Sequence, residues 1–84
     1  MKTDYKYKPE DFKEVLGLAG ELAYFYELLE TYSFNKTDTN WFALEKHSRD
    51  LLFTIKHRKI EGNLTLATAE DLKRYIKELI YDKF

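Results

Sequence analysis

This sequence predicts an all-α fold, a small three-helix bundle. Apolar residues recur at helical spacing in three stretches, each bounded by residues that start or stop helices. Only three Gly and one Pro occur among 84 residues, too few for the turns of an all-β domain. A hydrophobic share of 44%, rich in rings, can close one core and leaves no length for a second. Charged residues make up 35% but nearly cancel, 14 Lys and Arg against 15 Asp and Glu, so the chain does not read as disordered.

Residues 1–8 read as a flexible N-terminal arm and residues 9–84 as a single helical domain. Helix 1 is predicted from Pro9 to Tyr32: Pro9 suits a first turn, and Glu10 and Asp11 suit the positive end of the helix dipole. Gly17 and Gly20 fall inside it, where each costs about 1 kcal/mol against Ala. The structural account is a close helix crossing, or a kink or split near Gly17 and Gly20. The functional account is close approach of a partner helix over Gly17, Gly20 and Tyr24. The polar run Ser33 to Thr39 breaks the pattern and offers Asp38 and Thr39 as caps for helix 2, predicted from Asn40 to Lys59. Gly62 lies where a left-handed C-terminal residue belongs. Thr68 and Asp71 form a variant capping box before helix 3, predicted from Ala69 to Lys83.

On helical wheels, one core takes Leu16, Leu22, Tyr26, Trp41, Leu44, Leu51, Ile55, Leu72, Ile76 and Leu79. Phe12, Val15, Ala19, Ala23 and Leu29 extend the helix 1 face. Helix 2 carries a second stripe of Phe42, Phe53 and Ile60, and helix 1 is broadened by Leu18, Phe25, Leu28 and Tyr32. Three short helices are expected to leave part of this surface for another chain.

Chemistry finds little footing. The absence of cysteine removes disulfides, zinc ribbons and thiol catalysis. His47 and His57 stand ten apart on one helix, roughly 15 Å, so they cannot share a metal. Ser48 falls on the buried stripe, where its hydroxyl is expected to bond a backbone carbonyl or its small side chain to let another helix approach. The acids of helix 1 face water, which denies them the burial that general acid–base work needs. No enzyme activity, metal or cofactor is expected. No stretch approaches the roughly 18 apolar residues of a membrane span, and the first residues lack a secretory apolar core, so a cytoplasmic protein is expected.

Two functional readings remain. The first is a small non-catalytic protein–protein interaction module, in the manner of an adaptor, inhibitor, immunity factor or antitoxin. It would act through Phe25, Leu28, Tyr32, Phe34, Phe42, Phe53 and Ile60, with Glu21, Glu27 and Glu30 steering a basic surface toward them. Its partner is a second copy, as a homodimer, or a different protein. The second reading is nucleic-acid binding by Lys2, Tyr5, Lys6, Tyr7 and Lys8 in the arm with Lys56, Arg58 and Lys59, rings stacking on bases while cations hold phosphates. Against it stand a net charge of -1 and an expected helix 2 to helix 3 connector about twice the turn of a helix-turn-helix.

Overall fold

The computed structural model describes residues 5–82, with side chains through Tyr81. Pro9–Phe12 makes one 3-10 turn instead of opening a long helix. Asp11 closes that turn, its carboxylate accepting from the Lys8 N–H at 2.9 Å while its own N–H donates to the Lys8 carbonyl at 3.0 Å. The expected helix 1 is split at Gly17, whose φ of +76° is left-handed. Glycine adopts that conformation freely, whereas a residue with a Cβ is strained by roughly 1–2 kcal/mol. Helix α1 then runs Leu18–Phe34.

The break resets the rotation of the chain and corrects the predicted core face. Leu16, expected inside, is 73% exposed, while Leu18 is fully buried. The buried stripe of α1 is Leu18, Leu22, Phe25, Tyr26 and Leu29, spaced as one face of a regular helix. Ala23 is accordingly exposed and Ala19 only half-buried.

Helix α2 runs Asp38–Ile60 and starts earlier than expected, because Thr37 is its cap: the Thr37 hydroxyl oxygen accepts from the Asn40 N–H at 3.1 Å. Its end follows the expectation at Gly62. That residue has φ +87°, and the Gly62 and Asn63 N–H groups donate to the carbonyls of Lys59 and Arg58 at 3.0 and 2.9 Å, the paired bonds of a Schellman motif. Helix α3 runs Leu66–Lys77 and is capped by Thr65, which accepts from the Thr68 N–H at 3.2 Å. Thr68 is thus inside the first turn, not the cap. Residues Glu78–Asp82 continue as a wide π turn, and the expected end at Lys83 lies outside the described residues.

Helices α1 and α2 are antiparallel: the Tyr24 ring meets the His47 ring at 4.7 Å, and Tyr32 meets Trp41 at 5.4 Å. The core joins the α1 stripe to Leu44, Leu51 and Ile55 of α2 and to Leu72, Ile76 and Leu79 below α3. Ser48 is buried among them, its hydroxyl donating to the Glu45 carbonyl at 2.6 Å. Leu64, Ala69 and Ile80 also enter the core. Ile80 stands four residues after Ile76 and eight after Leu72, the spacing of one helix face. Trp41 is only half-buried, held between the rings of Tyr32 and Tyr81. Among the described residues there is no strand, and no helix is long and apolar enough to cross a membrane.

Candidate interaction surfaces

Residues 5–8 are laid across the bundle. The Tyr5 ring lies flat on the Tyr26 ring, centroids 3.7 Å apart, and its hydroxyl donates to the Glu30 carboxylate at 3.3 Å. Burial and then the Glu30 charge push the Tyr5 phenol up to about 12. The Tyr26 hydroxyl donates to the Tyr7 carbonyl, and its pKa is also raised, chiefly by burial. On the α3 side, Lys6 Nζ lies 2.6 Å from an Asp71 carboxylate oxygen that also accepts from the Tyr7 hydroxyl, while the Lys6 N–H donates to the Tyr75 hydroxyl at 2.8 Å. The bonds from Lys6 and Tyr7 hold the Asp71 carboxyl below its usual range. Tyr5, Lys6 and Tyr7, three of the side chains assigned to nucleic-acid contact, therefore strap the arm to α1 and α3. Lys8 is exposed, and Lys2 lies outside the described residues.

The second basic cluster is divided. Arg58 is half-buried and donates to the Glu61 carboxylate, and Lys59 Nζ lies 3.7 Å from Glu70. Lys56 faces water on the opposite side of the helix from Leu51 and Ile55. The α2–α3 connector is residues 61–65, shorter than expected, so its length no longer counts against a helix-turn-helix. The acids Glu70, Asp71 and Glu78 along α3 still do.

The residues assigned to a protein partner separate into three groups. Phe25 is a correction: it is fully buried beneath α1 and belongs to the monomer core, because it stands three residues after Leu22 and four before Leu29 on the same helix face. Leu28 and Tyr32 are half-buried where α1 meets α2. The rest reach the surface. Phe34 is 87% exposed at the end of α1, and Phe42, Phe53 and Ile60 are 66%, 62% and 66% exposed along α2. At 3.6 residues per turn these three fall in one row, on the side away from Leu44, Leu51 and Ile55. Lys46, Arg49 and Lys56 sit within the same exposed strip. That interleaving of Lys46 and Arg49 with the rings is carried in the sequence at fixed helical spacing.

Glu27 is exposed on α1, Glu21 is half-buried, and Glu30 is engaged with Tyr5. Helix α1 holds these three acids and no Lys or Arg, whereas α2 holds five Lys or Arg against three acids. His47 ties the two helices together: its Nε2 donates to the Glu21 carbonyl at 2.9 Å. Nothing in the local sequence signals that bond, which exists only because two distant segments meet. A groove of about 670 Å³ runs between the arm and α1, lined by Tyr5, Pro9, Gly20, Tyr24, Glu27 and Glu30 among others. A smaller one of about 250 Å³ lies between α1 and α2, lined by Tyr24, Leu28, Ala43, Lys46, His47 and Asp50. A Cβ built at Gly20 meets nothing within 4 Å, so among the described residues no crossing accounts for that glycine. Among the described residues no three His, Asp or Glu side chains converge as metal ligands. No protein-family model matches the chain, and comparison with curated proteins and with solved structures returns no match either.

Proposed function

We propose that this chain is a non-catalytic protein-binding module whose working surface is the outer face of α2. One observation carries the reading: Phe42, Phe53 and Ile60 form an exposed row on the side of the helix away from the core. Large apolar side chains in a row across five turns cost solvation in the free protein and anchor a partner when covered. The double substitution Phe42→Gln/Phe53→Gln tests this reading. The variant is expected to keep its helicity and melting temperature and to lose protein association.

Nucleic acid is the second reading, favoured by the cations that alternate with those rings on the same face. Anisotropy of a labelled single-stranded oligonucleotide separates the two. Binding that falls with added salt and disappears in the same Phe variant overturns the protein-partner reading.

A further inference from the structure

We propose that the occupant of this face is a second copy of the chain, docked so that α1 of each copy lies over α2 of the other about a two-fold axis parallel to the helices. The inference rests on the protein-binding reading above and assigns its partner. Charge selects the arrangement. Helix α1 carries three acids, Glu27 among them exposed, and no Lys or Arg, while the exposed strip of α2 carries Lys46, Arg49 and Lys56; Arg58 and Lys59 already face Glu61 and Glu70. An axis parallel to the helices sets the acidic helix on the basic one twice, and an isologous contact satisfies both copies at once. An axis across the helices would pair like with like. Matching Phe42 to Ile60 in a symmetric α2–α2 contact, for example, brings Lys46 against Lys56, because 51 is the midpoint of both pairs.

Height along the helices then fixes the neighbours. The Tyr24–His47 and Tyr32–Trp41 ring contacts put Gly20 level with Leu52 and Glu27 level with Glu45. A rotation about an axis parallel to the helices keeps those levels. The exposed Phe53 ring of the second copy therefore comes over Gly20, and its Phe42 and Lys46 flank Glu27. Gly20 is exposed with open space where a Cβ would stand. A ring laid on that bare stretch of helix gives the glycine in the first turn of α1 a use that the described monomer does not supply.

Sedimentation velocity on the full chain tests this with exchanged charges. Wild type is expected to pass from monomer to dimer with concentration. Glu27→Lys and Lys46→Glu, both changes at exposed positions, are each expected to weaken the dimer about tenfold or more. Their equimolar mixture, and the double variant Glu27→Lys/Lys46→Glu, are expected to recover it. Gly20→Leu supplies a readout of opposite sign, with a higher melting temperature and weaker association. A wild-type monomer at about 1 mM, or charge variants that the mixture does not rescue, overturns the second-copy assignment. If the Phe42→Gln/Phe53→Gln variant still loses a different protein in that case, only this inference falls. If it loses nothing, the module reading falls with it.

Discussion

Tyr5 lies face to face on Tyr26, their planes 2° apart, and ties the start of the described chain to the middle of α1. The contact packs residues 5–8 against the bundle. Tyr26 also donates to the Tyr7 carbonyl, so Tyr26→Phe leaves that acceptor short of its partner and should cost about 1 kcal/mol. Tyr26→Ala removes the stack as well and should cost about 3–5 kcal/mol. Urea unfolding of the two variants checks the ratio.

The strap also makes stability depend on pH. For Tyr5 the fold favours the neutral phenol, with its pKa moved from 10.0 to about 12. Its contribution is complete below pH 10 and is lost as pH rises from there through about 12. Asp71 acts in the other sense: its carboxylate is the favoured form, so its contribution is present above the ordinary 3.8 and is lost as pH falls through the lowered folded value. Melting temperatures across pH should show both edges. In an ultraviolet titration Tyr5 and Tyr26 should ionise above the ordinary tyrosine range.

Gly17 and Gly20 should respond oppositely to alanine. Gly17→Ala forces a Cβ into φ +76° and should destabilise by roughly 1–2 kcal/mol. Gly20→Ala meets open space within a helix and should stabilise by up to about 1 kcal/mol. Thermal unfolding of the pair gives the sign of each.

Two leucines test the core face. Leu51→Ala empties a fully buried site and should cost about 2–5 kcal/mol. Leu16→Ala alters a side chain already in water and should change stability by less than about 0.5 kcal/mol. Equal losses at both positions would place Leu16 back in the core.

The sequence by itself determined the helical class, the three helices, the left-handed stop at Gly62, the buried hydroxyl of Ser48 and the outward row of Phe42, Phe53 and Ile60. All of these depend on spacing within one segment, and a helix imposes the same 3.6-residue rotation wherever it is placed. Only the tertiary structure decided that Leu16 faces water, because the left-handed residue at Gly17 separates its phase from that of α1, and that the core face of α1 is centred on Leu18, Leu22, Phe25 and Leu29. The same holds for the tyrosine strap and the His47 bond to the Glu21 carbonyl. Each joins segments far apart in sequence, so their partners exist only once α1, α2 and α3 have packed.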